Sequence, residues 1–145
     1  EGRRVVEIMQ CQGLVQGPQH DDLKVYVMCE IPANVLRADE FLNIFDGFSI
    51  GSNDLSQLTL GIDRDSALVA KISNENDPSV RALVQLAIDA CLRRGKYIGI
   101  CGQAPSDYPD FLRFLVRAKI GAISLNADSV VPMLHEIAAE EASQS

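Results

Sequence analysis

The sequence lacks the residue patterns that mark several classes of protein. It has no tryptophan and only two histidines, and its four cysteines, at positions 11, 29, 91 and 101, are too far apart for a Cys-x-x-Cys zinc motif. No apolar run approaches the roughly 20 residues that span a bilayer, and the charged start lacks the apolar stretch of a signal peptide. Basic residues are scattered and the net charge is −7, which disfavours binding to nucleic acid or to an anionic membrane. The sequence therefore predicts a cytoplasmic protein with reduced cysteines that acts on small molecules or proteins.

The composition and the apolar pattern predict one α/β domain. Of 145 residues, 47% are hydrophobic and 23% are charged, which is the balance of a folded globular chain. Short apolar, β-branched segments predict four strands, at residues 24–29, 48–50, 97–100 and 122–125. A helix precedes the first strand and a helical segment follows each one, which is the order of parallel βα units. We expect helices on both faces of the sheet, a domain over residues 1–140, and a frayed tail at 141–145.

Local signals predict where several helices begin and end. Pro32 opens a helix, Asp77 followed by Pro78 is the N-cap signature of another, and Ser106 is a candidate cap for the next. The helix after Pro32 has apolar residues at three- and four-residue spacing, namely Val35, Ala38, Leu42 and Phe45. The last helix is expected from about residue 129 to 140, because an earlier start would place Pro132 in its interior.

Polar residues follow the predicted strands at their carboxyl ends, where parallel α/β folds gather their functional groups. They are Glu30 after the first strand, Gly51, Ser52, Asn53 and Asp54 after the second, Cys101 and Gln103 after the third, and Asn126 after the fourth. Glu30 and Asp54 are hard oxygen donors, and two carboxylates with open positions beside them suit Mg²⁺ or Mn²⁺. Such residues are equally typical of helix caps and turns, so spacing alone leaves metal binding open.

The sequence around Cys101 allows two interpretations. An apolar strand end is a natural place for an inert buried thiol, yet this thiol lies at the rim of the sheet with a flexible glycine beside it. A thiol there is able to donate a proton to a carbanion. The other three cysteines are expected to be packing residues, and His20 and His135 to be ordinary surface or boundary residues.

Three segments together resemble a known family. They are residues 28–32 (MCEIP), 47–57 (GFSIGSNDLSQ) and 99–107 (GICGQAPSD), and their order and spacing resemble the C-terminal domain of the phosphoenolpyruvate-utilising enzymes. The resemblance covers nearly the whole chain, from about residue 3 to 139. Residues 61–66 (GIDRDS) and 102–107 (GQAPSD) look most like the branch that makes phosphoenolpyruvate from pyruvate, ATP and water. Pyruvate phosphate dikinase and enzyme I of the sugar phosphotransferase system are the alternative branches.

This resemblance implies an architecture larger than the chain. Family members carry an ATP-binding domain, a phosphohistidine domain and a (β/α)8 TIM barrel of about 250 residues. Four βα units and a leading helix match only the second half of that barrel. We therefore expect a part of a larger enzyme that is inactive alone, works with the ATP-binding and phosphohistidine domains, and associates as a homo-oligomer.

The resemblance also implies roles for particular residues. The metal ligands fall on Glu30 and Asp54, which would hold Mg²⁺, with Mn²⁺ possible. The contacts to pyruvate or phosphoenolpyruvate fall on Glu30, Gly51, Ser52, Asn53 and Asp54. Cys101 falls on the proton donor, and Arg64 on a residue that contacts the substrate phosphate. Ser52 stands where many relatives have threonine, and Ala104 where close relatives have glycine, and neither change removes the chemistry.

Two other functions compete with this one. The first is a metal-dependent aldolase that forms a pyruvate enolate, although the cysteine proton donor argues against it. The second is a non-catalytic assembly module that keeps the fold and binds a partner.

Overall fold

The structure is a computed structural model that describes residues 1–17, 23–63 and 74–144. The helices of these residues are α1 Gly2–Cys11, α2 Pro32–Leu36, α3 Ala38–Leu42, α4 Ser52–Leu60, α5 Pro78–Arg93, α6 Ala104–Asp107, α7 Pro109–Arg117 and α8 Val130–Ser143. The strands are β1 Tyr26–Cys29, β2 Gly47–Gly51, β3 Tyr97–Cys101 and β4 Ala122–Ile123. No helix in the described ranges has the length and apolar character needed to cross a membrane.

The four strands form one parallel sheet in the order β1-β2-β3-β4. The register pairs Cys29 with Ile50, Ile50 with Ile100, and Ile100 with Ile123. Each strand therefore lies next to the strand that precedes it in the sequence, and helical segments make the crossovers. The predicted α/β class with a parallel sheet is confirmed.

The core lies on one face of this sheet. Phe48 and Ile50 of β2 and Ile98 and Ile100 of β3 are at most 2% exposed. They pack against the apolar face of α5, whose buried residues are Val80, Val84, Ala87, Ile88, Ala90 and Cys91. Asp77 caps this helix as predicted, because its carboxylate accepts a hydrogen bond from the Ser79 N–H at 2.7 Å.

The prediction that helices cover both faces is wrong for the described part of the chain. Tyr26, Met28 and Tyr97 point to the opposite face and are 42%, 40% and 38% exposed, and the two tyrosine rings stack with centroids 4.2 Å apart. Alternate residues of a strand point to opposite faces, so a strand with helices on one side keeps every second side chain open. Apolarity alone did not reveal this arrangement.

Several helix boundaries also differ from the predictions. The segment after Pro32 is two short helices that break at Arg37, where φ is −114° and ψ is 30°. Ser106 lies inside α6 instead of capping a helix, because Pro109 forces Tyr108 into an extended conformation and α7 starts after it. The last helix continues to Ser143, so the residues up to that point belong to α8 and not to a tail.

The cysteines divide into buried and accessible thiols. Burial raises the pKa of Cys29 to about 12 and that of Cys91 to about 11, so both stay protonated at neutral pH. Cys11 is exposed, so the prediction that it packs in the core is wrong: α1 has no buried residues. His135 lies at the surface as predicted, and His20 lies outside the described residues.

The outer strands of the sheet are β1 and β4, and among the described residues no further strand pairs with either. Open parallel edges and the exposed Tyr26, Met28 and Tyr97 favour pairing with another chain. We predict that the isolated 145-residue chain associates at tens of micromolar, as sedimentation velocity would measure. A single monomeric species at that concentration would contradict the prediction.

Candidate functional site

The candidate site lies where β1, β2 and β3 end side by side. Glu30 directly follows β1, Gly51 is the last residue of β2, and Cys101 is the last residue of β3. The register sets Gly51 opposite Cys101. The predicted convergence of these strand ends on one edge of the sheet is therefore present.

Glu30 is positioned by the buried side-chain amide of Asn34 and by the absence of a side chain at Gly51. The Asn34 side-chain oxygen accepts hydrogen bonds from the N–H groups of Glu30 (3.3 Å) and Ile31 (3.1 Å), which holds the turn between β1 and α2. A Cβ on Gly51 would lie 2.9 Å from a carboxylate oxygen of Glu30. The Glu30 carboxylate thus lies against the end of the neighbouring strand, where the glycine leaves room for it.

The polar segment after β2 is the first turn of α4 and not a loop. Ser52 begins this helix, is fully buried, and its hydroxyl donates a hydrogen bond to Glu75 at 2.5 Å. The side-chain oxygen of Asn53 accepts a hydrogen bond from the Gln103 N–H at 3.1 Å. Asp54 is the third residue of the helix, where a negative charge is favoured by the helix dipole.

Gly102 allows the turns after β2 and β3 to approach closely. Its φ is +117°, a backbone conformation that residues with a side chain rarely adopt. A Cβ there would collide with the Ser52 hydroxyl oxygen and would lie 2.6 Å from the side-chain oxygen of Asn53. The glycine beside Cys101 is therefore required by both its backbone angle and its surroundings.

Cys101 has an environment unlike those of the two buried cysteines. It is partly exposed at the end of β3, and the Ser49 hydroxyl donates a hydrogen bond to its sulfur at 3.5 Å. Ser49 lies on β2, two residues before Gly51. A thiol at an open strand end with a hydroxyl donor beside it is placed to exchange a proton with a bound molecule.

Comparison with known proteins identifies the family. The family model of the PEP-utilising enzyme, PEP-binding domain, matches residues 2–142. The chain belongs to the phosphoenolpyruvate-utilising enzyme family.

Named relatives at about half identity support this assignment. The phosphoenolpyruvate synthase of Helicobacter pylori is 53% identical over 138 residues, which cover 95% of this chain and 17% of the relative. That of Synechocystis is 55% identical over 141 residues, covering 97% and 17%, and that of Pseudomonas aeruginosa is 56% identical over 131 residues, covering 90% and 16%. The chain therefore spans about 17% of the length of the first two relatives.

The structure brings together most of the residues that the sequence singled out for this family. Glu30 lies against Gly51, Asn53 bonds the Gln103 N–H, and Cys101 lies opposite Gly51. Asn126 contacts the segment after β3 through its backbone, since its N–H donates a hydrogen bond to the Ser106 hydroxyl at 3.0 Å. Arg64 lies outside the described residues.

Two polar residues at this edge were missed by the sequence reasoning. Glu75 bonds Ser52 and the Ala104 N–H, and Ser49 bonds Cys101. Ser49 was signalled by strand alternation, because it points to the same face as Gly51. Glu75 carried no such signal, because it belongs to the irregular connection that precedes α5.

We predict that Gly102→Ala destabilises the chain more than Gly95→Ala does. A Cβ at Gly95 meets nothing within 4 Å, although its φ is +60°. We expect Gly95→Ala to cost about 1–2 kcal/mol from backbone strain alone. Gly102→Ala adds a collision with Ser52 and is expected to cost roughly 2–5 kcal/mol.

Equilibrium urea unfolding of the two variants measures this difference. Equal losses at both positions would show that the turns after β2 and β3 do not need the close approach at Gly102.

Proposed function

We propose that this chain is the C-terminal, phosphoenolpyruvate- and pyruvate-binding part of a phosphoenolpyruvate synthase. That enzyme, also called pyruvate, water dikinase, converts pyruvate, ATP and water to phosphoenolpyruvate, AMP and phosphate through a phosphohistidine. The observation that carries the proposal is the edge where the Glu30 carboxylate lies against Gly51 and Cys101 ends the adjacent strand. The names of the relatives support the choice of this branch of the family. The ATP-binding and phosphohistidine domains would belong to the same larger protein.

We further propose that the sheet is the second half of a (β/α)8 barrel. All four strands are parallel and sequential, as barrel strands are. The described helices pack on one face, and the other face exposes Tyr26, Met28 and Tyr97, which would point into a closed barrel. The first half of the barrel would cover these residues and pair with β1 and β4.

The donor set at the strand ends fits a hard divalent cation. Among the described residues, no three or more His, Cys, Asp or Glu side chains gather in a way that would hold a metal. Glu30 and Asp54 would therefore hold Mg²⁺ with the help of substrate and water oxygens, which is how proteins usually bind this ion. Gly51 leaves the space beside the Glu30 carboxylate open. When bound, Mg²⁺ supplies positive charge that stabilises a developing enolate oxygen.

The chain's own residues would orient the substrate. The first N–H groups of α4, beginning at Ser52, lack partners within the helix and lie at its positive end. They would favour the carboxylate or phosphate of the substrate at this position. Arg64 would add a positive charge for the phosphate, as its match to the family implies.

Cys101 would move the proton at the methyl carbon. In the direction of pyruvate formation, its S–H bond breaks, a C–H bond forms at the methylene carbon of the enolate, and a thiolate remains. The Ser49 hydroxyl, 3.5 Å from the sulfur, would stabilise that thiolate by donating a hydrogen bond. In the opposite direction the thiolate would take the proton back.

Binding of oxalate, a planar mimic of the pyruvate enolate, tests the metal site. We expect calorimetric titration of oxalate with Mn²⁺ present to show binding to the complete enzyme, and Asp54→Asn to abolish it, because one of two carboxylates is lost. Asp89→Asn is the matched control. Asp89 is exposed on α5 and accepts a hydrogen bond from Gln85 of the same helix. Unchanged binding in Asp54→Asn would contradict the proposed ligand role.

Exchange of the methyl protons of pyruvate tests the role of Cys101. We expect the complete enzyme with Mg²⁺ to exchange these protons in deuterium oxide, as proton NMR would follow. Cys101→Ala should slow the exchange by about 100-fold or more while oxalate still binds, because only the proton carrier is removed. Cys11→Ala, at an exposed thiol on α1, should leave the exchange unchanged.

A Cys101→Ala enzyme that exchanges at the normal rate would remove the cysteine from the mechanism. A wild-type enzyme that neither exchanges protons nor binds oxalate would favour a non-catalytic assembly module.

A further inference from the structure

Glu75 joins the two turns that carry the proposed site. One oxygen of its carboxylate accepts hydrogen bonds from the Ser52 hydroxyl at 2.5 Å and from the Ala104 N–H at 3.2 Å. Ser52 begins α4 directly after β2, and Ala104 begins α6 shortly after β3. A single carboxylate oxygen therefore bridges the ends of two neighbouring strands.

Both donors to Glu75 are buried. Ser52 and Ala104 are each 0% exposed, so neither has water as an alternative partner. A buried polar group without a partner is unfavourable, and a charged acceptor makes the stronger kind of hydrogen bond. Loss of the Glu75 carboxylate would thus leave the buried Ala104 N–H unsatisfied and would leave the Ser52 hydroxyl with the longer contact to the Asn53 side-chain oxygen, at 3.4 Å.

The turn from Cys101 to Ala104 is held at two successive N–H groups. Asn53 accepts from the Gln103 N–H at 3.1 Å, and Glu75 accepts from the next N–H, that of Ala104. Gly102, between them and the cysteine, lies against Ser52 and Asn53. The position of the Cys101 end of β3 relative to α4 therefore depends on acceptors supplied by α4 and by Glu75.

We propose that Glu75 is a positioning residue of this site. It acts through Ser52 and Ala104 to set the distance between the Cys101 thiol and the Ser52–Asp54 turn, which bears the proposed metal and substrate contacts. The shorter hydrogen bond of the Ser52 hydroxyl goes to Glu75 and the longer one, at 3.4 Å, to the Asn53 side-chain oxygen, so the Ser52 side chain takes part in this link. The catalytic consequence rests on the proposed function, whereas the link between the two turns does not.

The test compares Glu75→Ala and Glu75→Gln in the complete enzyme. The first readout is the exchange of pyruvate methyl protons, analysed as kcat and KM. We expect Glu75→Ala to lower kcat by about tenfold or more with a much smaller change in KM, because a misplaced thiol slows proton transfer more than it weakens binding. Glu75→Gln should recover most of the loss, since its amide oxygen accepts both hydrogen bonds.

The second readout needs no substrate. Iodoacetamide alkylation of Cys101 is followed by peptide mass spectrometry, which separates this thiol from all others. We expect Glu75→Ala to raise the alkylation rate, because the turn that follows Cys101 loses one of its two acceptors, and Glu75→Gln to leave it near the wild-type rate. The buried Cys29, whose pKa is raised by burial, serves as an internal measure of global unfolding.

Two further variants separate positioning from general stability. Ser52→Ala alone should lower kcat less than Glu75→Ala, and the double variant should lose no more than Glu75→Ala does, because the two residues act through one link. Glu136→Ala is the matched control, since Glu136 accepts a hydrogen bond from Arg113 and also joins two elements, α7 and α8. It should leave kcat and Cys101 alkylation unchanged.

The outcomes distinguish this proposal from the proposed function. Normal alkylation and exchange in Glu75→Ala, or equal changes in Glu136→Ala, would overturn the positioning role. If the wild-type enzyme shows no exchange, the proposed function fails, and alkylation of Cys101 alone then decides the role of Glu75. If Glu75→Ala does not fold, Ser52→Ala decides it, and an unchanged Cys101 alkylation rate in that variant would overturn the link.

Discussion

Parallel pairing between β2 and β3 is the interaction on which the candidate site depends. It sets Gly51 opposite Cys101, so the residues that follow the two strands meet at one edge. The buried apolar residues of both strands hold this register, because a shift of either strand by one residue would turn its own buried pair, Phe48 and Ile50 or Ile98 and Ile100, away from α5 and toward the open face. The chemistry at the edge thus rests on hydrophobic packing in the middle of the sheet.

Glycines allow the segments that follow β1, β2 and β3 to approach one another closely at this edge. Gly51 leaves room for the Glu30 carboxylate, and Gly102 leaves room for Ser52 and Asn53. The N–H groups of Gln103 and Ala104 in the next turn then donate hydrogen bonds to the side-chain oxygens of Asn53 and Glu75. Glycine and side-chain acceptors work together here, since the glycine permits the contact and the acceptors fix its geometry.

The one-sided packing of the sheet matters as much as the site. A parallel sheet usually has helices on both faces, or closes on itself so that its inner face is filled by side chains. In the described residues one face is packed by helices, while Tyr26, Met28 and Tyr97 remain partly exposed on the other. The chain covers about 17% of its Helicobacter pylori relative. That relative therefore contains a longer chain, part of which is able to pack on the corresponding face.

Sequence reasoning recovered the parallel α/β class, the alternation of strands and helices along the chain, and Glu30, Gly51 and Cys101 as strand-end residues, because apolar periodicity and the segment around residues 47–57 are local properties. It placed Asp77 as a helix cap for the same reason. It failed for Ser106 and for the helix after Pro32, where the conformations of Tyr108 and Arg37 interrupt the helical pattern. It also misjudged Cys11, because an isolated helix pattern does not reveal whether its apolar side is covered.

What the sequence determined by itself is which chemical groups stand at the strand ends and which family carries them. Only the tertiary structure decided how those groups are held: that Ser52 is buried against Glu75, that Ser49 reaches Cys101, and that one sheet face stays open. These contacts join residues 23 and 52 positions apart in the chain. Such pairs leave no periodic mark in a sequence, because they exist only after the strands have paired and the crossovers have packed.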